Sequence, residues 1–294
     1  MRIALIHNPN SGRRVSIESL HELIEREGHQ LVRVIEHASD GVALADPPAE
    51  LVVAAGGDGT VAEAVRLVAG RQVPLALLPL GTANNIAFTL GLDGPLERQV
   101  RGWHDAPARP FDIGALAGFD GAGIFVEGVG AGLVEACLTS FRRRPLRRGE
   151  PPPWQLVRAL RRYAQTLARL RPRHRSWTID GAPRSGDVLL IEVMNARAVG
   201  PNLEFAPQAS LSDGLLTVVT AREADRPALA AYIADRLAGR DATLDLPAET
   251  ARGVDLVDPE LLHVDDTLAH VPRGQTVSIR AQAAAVSVLV PPPV

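Results

Sequence analysis

The sequence predicts a two-lobed α/β protein, with a Rossmann-like N-terminal lobe followed by a second lobe rich in β-sandwich. Three units of strand, polar loop and helix follow one another within the first hundred residues, which is typical of a doubly wound sheet. Near residue 112 the pattern changes to short strands separated by glycine and proline turns, which favours a β-sandwich. We therefore expect two domains, residues 1–112 and residues 113–294.

Apolar runs predict the strands, and apolar residues at helical spacing predict the helices. In the first lobe the predicted strands are 2–6, 30–35, 51–55 and 74–78, and the predicted helices are 16–27, 60–69, 82–90 and 95–102. In the second lobe the predicted strands are 111–116, 123–127, 173–180, 187–195, 215–220, 261–265, 276–280 and 285–290, with helices at 131–141 and 154–170.

The segment LVVAAGGDGT, residues 51–60, predicts an anion site at the end of a strand. Gly56, Gly57 and Gly59 carry no side chains, so backbone N–H groups can approach a ligand closely. The following helix directs its positive dipole end and its unpaired N–H groups to the same place. Such a loop holds phosphate.

Asp58 and Thr60 of this segment support two further predictions. Asp58 places a carboxylate where phosphate is expected, which makes sense if a divalent cation lies between the two. Thr60 and Glu63 have the spacing of a capping box, which predicts that the helix starts there.

Two other loops repeat the pattern at the ends of predicted strands. PLGTANN spans residues 79–85, and HNPNSG spans residues 7–12. In a doubly wound sheet, ligands bind at the carboxyl ends of the strands, where these loops lie. Thr82 and Asn84 are candidates both for phosphate contacts and for capping the next helix.

Together, GGDGT, PLGTANN and NPNSG resemble the diacylglycerol kinase catalytic-domain family, which includes bacterial lipid kinases, sphingosine kinases and ceramide kinases. The family usually has Asn-Asp where this chain has Asn84-Asn85. The resemblance implies a nucleotide-binding first lobe, with ATP and Mg²⁺ as ligands and Asp58 in the catalytic machinery. The predicted nucleotide contacts are Asn8, Pro9, Ser11, Gly56, Gly57, Asp58, Gly59, Thr60, Glu63, Gly81, Thr82 and Asn84.

The resemblance implies a catalytic base in the second lobe. In the family this base is an aspartate in a Val-Asp-Gly-Glu segment, and Asp265 matches it. Asp266 replaces the glycine and Thr267 replaces the glutamate. On an extended strand Asp265 and Thr267 would share one face and Asp266 would lie on the other. The alternative is a pair of surface aspartates at a strand end.

The resemblance also implies a metal in the second lobe, held in the family by an aspartate and backbone carbonyls. Asp213 is the match, and Ser210 and Leu215 are the predicted neighbouring ligands. One carboxylate with carbonyl oxygens suits Mg²⁺ or Ca²⁺. An ordinary Asp-Gly turn before a strand explains the same residues.

Composition excludes several classes of protein and site. A net charge of −3 gives no indication of nucleic-acid binding, and the single cysteine cannot form an internal disulfide. The chain contains arginine but no lysine, which excludes a P-loop lysine and a lysine base. Residues 72–92 carry no charge, but their prolines and asparagines favour a strand and loop over a membrane helix. Met1 leads directly into a strand pattern, so we expect a cytoplasmic protein.

The arginine run at residues 142–148 suggests peripheral contact with anionic lipid at the inner membrane face. Phe141 and Trp154 flank it. A solvated loop explains the run equally well.

The sequence therefore predicts a kinase that transfers the γ-phosphate of ATP to a hydroxyl of diacylglycerol or a related lipid alcohol. An NAD kinase is the alternative with the same chemistry, since NAD kinases also carry GGDG. A protein that binds nucleotide or lipid without phosphate transfer is the second alternative, motivated by Thr267.

Overall fold

A computed structural model describes residues 1–35, 48–92, 94–120, 123–145 and 151–292. The helices are α1 Ile17–Arg26, α2 Asp58–Val68, α3 Asn85–Thr89, α4 Leu96–Gly102, α5 Leu133–Arg143, α6 Pro152–Leu167 and α7 Arg226–Leu237. The strands are β1 Arg2–His7, β2 Gln30–Ile35, β3 Leu51–Gly56, β4 Leu75–Pro79, β5 Ala108–Ala117, β6 Ile124–Phe125, β7 Gly128–Gly132, β8 Arg173–Ile179, β9 Ala182–Val188, β10 Leu190–Met194, β11 Leu216–Ala221, β12 Ala248–Ala251, β13 Gly253–Val257, β14 Leu261–Val264, β15 Thr267–His270 and β16 Thr276–Leu289.

The chain divides into two compact units, one formed by residues 1–112 and 283–294 and the other by residues 113–282. The sequence placed 283–294 in the second domain, and this part of the prediction is corrected. The segment returns to the first unit because Val288 of β16 pairs in parallel with Leu75 of β4.

The first unit has the doubly wound α/β architecture that the sequence predicts. Its strands lie side by side in the order β2-β1-β3-β4, and all of these pairs are parallel. Apolar residues of β1 and β3, such as Leu5 and Val53, form a core with Leu20 and Ile24 of α1. Because the strands are parallel, the loops that follow β1, β3 and β4 emerge at the same edge of the sheet.

The second unit is a β-sandwich with helices on one outer face, as the fold class predicts. One sheet has six antiparallel strands in the order β12-β11-β10-β7-β14-β15. The facing strands include β8, β9, β13 and the first half of β16. Ile191 and Val193 of β10 pack in the core between the sheets with Val254 and Ile279. The other face of the six-stranded sheet packs against α5, α6 and α7.

Several predicted elements differ in extent. The strand predicted at 187–195 is two strands interrupted at Leu189, because β9 pairs with β8 whereas β10 pairs with β7 and β11. The two strands predicted at 276–280 and 285–290 are the single strand β16. Ala284 has a φ of 51° within it, and its N–H donates to Asp112 Oδ1 at 2.7 Å.

The charge-free segment 72–92 contains β4 and the short helix α3, which agrees with the strand and loop predicted there. In the part of the chain that the structure describes, no helix is long and apolar enough to cross a membrane.

A buried polar pair crosses three strands of the six-stranded sheet. Gly130 of β7 is the register partner of Glu192 on β10 and of His263 on β14. Both side chains are fully buried, and His263 Nε2 lies 2.5 Å from Glu192 Oε2. A Cβ atom at Gly130 would collide with Glu192 Oε2 and with the carbonyl oxygen of Ile191. The glycine therefore provides the space in which the two side chains meet.

Gly130→Ala is expected to destabilise the protein by about 1–3 kcal/mol, the usual cost of overpacking a core. Gly123→Ala is the matched control, because a Cβ there meets no atom within 4 Å. Chemical denaturation followed by circular dichroism measures both free energies of unfolding. Equal stability of the two variants would contradict this account of Gly130.

Candidate active site

Three loops of the first unit are hydrogen-bonded to one another at the carboxyl edge of the parallel sheet. The N–H of Asn8 donates to the carbonyl of Ala55 at 3.1 Å, which ties the β1 loop to β3. The N–H of Arg13 donates to the carbonyl of Leu80 at 2.9 Å, which ties the same loop to the β4 loop. The N–H groups of Leu80 and Gly81 donate to the Gly56 carbonyl at 2.8 and 3.1 Å. The predicted loops therefore form one connected surface.

Glycines allow the β3 and β4 loops to touch. A Cβ atom at Gly57 would lie 3.1 Å from the Cα of Gly81. A Cβ atom at Gly81 would collide with the Cα of Gly57 and lie 2.6 Å from Asn84 Oδ1. Any larger residue at these positions would push the loops apart, so the two glycines are needed for the close approach of the backbones.

Asp58 links the same two loops through its side chain. It is the first residue of α2, where a negative charge complements the helix dipole. Its Oδ1 accepts a hydrogen bond of 3.0 Å from the N–H of Ile86 in the first turn of α3. Burial raises the pKa of Asp58 above its usual value, and the backbone N–H donors, with Ile86 first, act to lower it. Asp58 thus caps a helix that is distant in sequence.

The predicted capping box at Thr60 is wrong. The helix α2 begins at Asp58 with Gly57 as its N-cap, so Thr60 lies inside the first turn and Glu63 lies further along the helix. The helix starts earlier because β3 continues to Gly56 and the chain turns directly into α2. The Thr60 side chain packs closely against Gly56.

The capping role considered for Thr82 and Asn84 belongs to Asp58. Asn84 is the N-cap residue of α3, but it has a left-handed φ of 56° and its side chain makes no cap hydrogen bond. Instead Asn84 Oδ1 accepts from the N–H of Gly81 at 2.8 Å, and Nδ2 donates to the Gly81 carbonyl at 3.0 Å. This side chain closes the loop 81–84. Thr82 lies within that loop and is partly buried.

The remaining predicted nucleotide contacts lie on the same loops. Asn8 and Pro9 are exposed, and Asn8 Oδ1 accepts from the N–H of Asn10 at 3.0 Å. Ser11 is buried, and its Oγ has no hydrogen-bond partner among the described residues. Gly59 is exposed in the first turn of α2.

In the second unit, the Asp265 carboxylate is bound by backbone N–H groups. Oδ1 accepts from the N–H groups of Val126, Glu127 and Gly128 at 3.1, 2.8 and 3.3 Å. Oδ2 lies 3.2 Å from the N–H of Val126. Asp265 is therefore a buried carboxylate anchored mainly through one of its oxygens.

The prediction that Asp265 and Thr267 share the face of an extended strand is wrong. β14 ends at Val264 and β15 begins at Thr267, so Asp265 and Asp266 form the two-residue turn between them. Asp265 has a left-handed φ of 49° and is buried, whereas Thr267 is exposed. Thr267 Oγ1 donates to the Val264 carbonyl at 2.9 Å. The turn therefore separates the two side chains.

The segment Val126–Glu127–Gly128 is also held through its carbonyl groups. Asn195 Nδ2 donates to the carbonyl of Val126 at 3.0 Å, and the N–H groups of Asn195 and Ala196 donate to that of Glu127. Asp265 and Asn195 therefore hold the segment from both sides. No sequence motif assigns a role to Asn195 or Glu127, although a lone charge in the Gly-rich run FVEGVG is a signal for Glu127, which the structure buries.

His263 connects the Asp265 turn to Glu192. His263 Nδ1 lies 3.1 Å from the Asp265 carbonyl oxygen, and Nε2 lies 2.5 Å from Glu192 Oε2. Burial alone would lower the pKa of His263, but the Glu192 carboxylate and the two hydrogen bonds raise it above its usual value. Burial raises the pKa of Glu192. A lone Glu in the apolar run LLIEVM was the sequence signal for this pair.

The predicted metal ligands form a turn before β11. Asp213 is exposed, and its Oδ1 accepts from the N–H of Leu215 at 3.0 Å. Ser210 Oγ accepts from the N–H of Ser212 at 3.3 Å. The described residues contain no group of three or more His, Cys, Asp or Glu side chains that could hold a metal ion. The metal at Asp213 stays a prediction.

The arginine run begins at the end of α5. Arg142, Arg143 and Arg144 are exposed, whereas Arg147 and Arg148 lie outside the described residues. Phe141 is partly buried with the Arg162 guanidinium 5.2 Å from its ring centroid, so it does not face solvent as an anchor would. Trp154 is 62% exposed.

Comparisons with known proteins agree with the loops and with the fold. The sequence model of the diacylglycerol kinase catalytic domain matches residues 2–116, and that of the YegS C-terminal NAD kinase beta sandwich-like domain matches residues 154–258. A crystal structure of a diacylglycerol kinase from Bacillus anthracis str. Sterne has a TM-score of 0.72, with 18% identity, and covers 99% of this chain and 97% of that one. This similarity shows the fold.

One curated relative shows the family, and a second agrees with it. The diacylglycerol kinase of Mycobacterium tuberculosis (strain ATCC 25618 / H37Rv) is 28% identical over 261 residues, which are 83% of this chain and 81% of that protein. The Chromohalobacter salexigens protein named "Probable lipid kinase YegS-like" is 30% identical over 231 residues, which are 74% of this chain and 70% of that protein. These matches confirm the resemblance seen in GGDGT and PLGTANN, and the chain therefore belongs to the diacylglycerol kinase family, together with the YegS-like lipid kinases.

Proposed function

We propose that this lipid kinase transfers the γ-phosphate of ATP to a hydroxyl group of diacylglycerol or of a related lipid alcohol. The observation that supports it most is the set of three hydrogen-bonded loops at one edge of the parallel sheet, two of which are also joined by Asp58. Such a surface provides backbone N–H groups and small residues for phosphates. The curated relatives named above are called diacylglycerol kinase and lipid kinase.

The residues of these loops fit a nucleotide phosphate and a magnesium ion. The Gly57–Gly81 contact brings the two loops together at the N-terminus of α2, and the buried Ser11 hydroxyl has no protein partner among the described residues. Asp58, Ser11 and the loop N–H groups would hold the phosphates and the ion. Mg²⁺ bound there would neutralise part of the phosphate charge during transfer.

Asp265 activates the acceptor in this proposal. The lipid hydroxyl oxygen attacks the γ-phosphorus, a new O–P bond forms, and the bond from that phosphorus to the β–γ bridging oxygen breaks to release ADP. The hydroxyl proton passes to Asp265 Oδ2, because Oδ1 already accepts hydrogen bonds from three backbone N–H groups. A weak base is sufficient, because in a loose transition state little charge develops on the attacking oxygen before bond formation.

Transfer of label from γ-³²P-ATP tests the proposal. With diacylglycerol in mixed vesicles and Mg²⁺ present, label is expected in the chloroform-extractable lipid. Ceramide, sphingosine and NAD serve as competing acceptors. Label in NADP would favour the NAD kinase alternative, and ATP binding without transfer to any acceptor would favour the binding protein.

Asp58→Asn is expected to lower Mg²⁺-dependent turnover at least about 100-fold, the loss seen when a group that stabilises transferred charge is removed. The asparagine oxygen still accepts from the Ile86 N–H, so the melting temperature is expected to change little. Asp58→Ala removes both the charge and the helix cap and serves as the comparison. An Asn variant with near-normal activity would remove Asp58 from the phosphate site.

Asp265→Asn is expected to lower kcat by roughly 10²–10⁴-fold, the usual contribution of a general base, with little change in KM for ATP. Steady-state kinetics with saturating lipid measure both constants. An unchanged kcat would exclude Asp265 as the base.

Thr267→Glu restores the glutamate of the family. A gain in kcat in this variant would show that the threonine at position 267 limits this enzyme.

We also propose that the enzyme contacts a membrane surface through the α5 end, because its substrate lies in a bilayer. Co-sedimentation with vesicles that contain anionic lipid is expected to fall at high salt, since exposed charges are screened within about 8 Å at physiological ionic strength. Replacement of Arg142, Arg143 and Arg144 by Gln should weaken binding in the same way. Binding insensitive to both changes would contradict this contact.

A further inference from the structure

We propose that the buried Glu192–His263 pair is a positioning device that holds the turn carrying Asp265. The inference rests on the proposed function, because it assigns the pair a role through the proposed base. His263 and Glu192 are positioning residues and have no contact with substrate in this proposal.

The pair is built into the centre of the six-stranded sheet. Glu192, Gly130 and His263 lie in register on three adjacent strands, and the side chains of Glu192 and His263 meet over the glycine. Both side chains are fully buried. A buried ion pair is costly to place, and replacing one with apolar residues is often neutral or stabilising. Stability alone therefore does not explain why a glycine makes room for this pair.

The second ring nitrogen of His263, Nδ1, points to the turn that carries Asp265. Nδ1 lies 3.1 Å from the Asp265 carbonyl oxygen, and the Asp265 N–H donates to the Gly128 carbonyl at 2.9 Å. The left-handed backbone of Asp265 is unfavourable for a residue with a side chain and needs support from its surroundings. The contact of His263 Nδ1 with the Asp265 carbonyl supplies that support. The N–H groups of Val126, Glu127 and Gly128 bind the carboxylate.

Both contacts of His263 are made only when the pair holds a proton between Nε2 and Oε2. A carbonyl oxygen can only accept, so Nδ1 must carry a proton to bond with Asp265. If the proton between Nε2 and Oε2 is lost, the imidazole keeps a single N–H. With that proton on Nδ1, the Nε2 lone pair faces the Glu192 carboxylate; with it on Nε2, the Nδ1 lone pair faces the Asp265 carbonyl. The pKa values of both partners are raised, which agrees with a pair that keeps its proton to a higher pH than the separate groups would.

Charged and titratable groups surround the pair, and two of them raise the pKa values of its members. Glu135 on α5 acts to raise the pKa of Glu192, and Asp265 acts to raise that of His263. Tyr163 on α6 is buried nearby, and burial, with Glu192 among the contributing charges, raises its pKa. Since the pKa values of Glu192 and His263 lie above their ordinary ones, the turn is held at pH values below the raised pKa of the pair. It is released as the pH rises through the raised pKa of the pair.

Two substitutions at His263 separate its contacts. Asparagine places an amide nitrogen near the position of Nδ1 and can still donate to the Asp265 carbonyl, whereas glutamine reaches towards Glu192 and loses that donor. His263→Gln is expected to lower kcat about 10–100-fold, in line with the cost of a small misplacement of a catalytic group, with KM for ATP unchanged. His263→Asn is expected to lose less activity. A wild-type kcat in His263→Gln would overturn the proposal.

Hydrogen exchange gives a readout that does not depend on activity. The amides of Val126, Glu127 and Gly128 are expected to exchange at least about tenfold faster in His263→Gln than in the wild type, because the turn that binds them is loosened. Val254→Ala removes core volume on the facing strand β13 and serves as the control for general destabilisation. Equal exchange in His263→Gln and in the wild type would contradict the positioning role, whether or not the protein is active.

The pH profile tests the shared proton. In Glu192→Gln the amide N–H can donate to Nε2 of a neutral imidazole, so Nδ1 keeps its proton at every pH. The alkaline pKa of the kcat profile is expected to rise by at least about one unit in this variant, a tenfold change in proton affinity. The same alkaline pKa in the variant and in the wild type would show that loss of the shared proton does not cause the alkaline fall in kcat, which would contradict the role of that proton.

A double-mutant cycle distinguishes failure of this inference from failure of the proposed base. If His263 acts through Asp265, adding His263→Gln to Asp265→Asn produces little further loss of kcat. A normal kcat in Asp265→Asn would refute the base assignment. A low kcat in Asp265→Asn with a normal kcat in His263→Gln would refute the inference and leave the base in place.

Discussion

The three backbone N–H groups that converge on the Asp265 carboxylate are the interaction on which the second unit's site depends. They fix the residue that matches the family's catalytic aspartate and, at the same time, order the segment Val126–Gly128 that leads into β7. Asn195 completes the arrangement by donating to the carbonyl groups of the same segment. Removing the Asp265 side chain would therefore change a backbone conformation as well as a base.

The first unit uses a carboxylate in the same manner. Asp58 accepts a hydrogen bond from the N–H of Ile86 and so joins the loop after β3 to the loop after β4. Glycines at positions 57 and 81 allow the backbones of these loops to touch. In both units a side chain assigned to chemistry also satisfies backbone donors, which must be paired when they are buried. Asparagine substitutions separate the two roles better than alanine, because they keep an acceptor and remove the charge.

The sequence predicted the fold class, the strand-to-loop-to-helix units and the family, because glycine loops and hydrophobic periodicity are local signals. It did not predict how side chains reach residues distant in the chain. The Asp58–Ile86 bond spans 28 positions and the Glu192–His263 contact spans 71, so no local pattern reports them. The capping box at Thr60 had the right spacing, but β3 continues to Gly56 and the helix starts two residues before the predicted position. The face shared by Asp265 and Thr267 was inferred from an extended strand, whereas the chain turns at Asp265.

A crystal structure with a non-hydrolysable ATP analogue, Mg²⁺ and a short-chain diacylglycerol tests the proposed roles of the glycine loops and of Asp265 together. The analogue's phosphates are expected to contact the Gly57 and Gly81 loops. The acceptor hydroxyl oxygen is expected about 2.6–3.2 Å from Asp265 Oδ2, the reach required of a general base. A lipid hydroxyl bound out of hydrogen-bond reach of Asp265, or a nucleotide bound away from these loops, would contradict these roles.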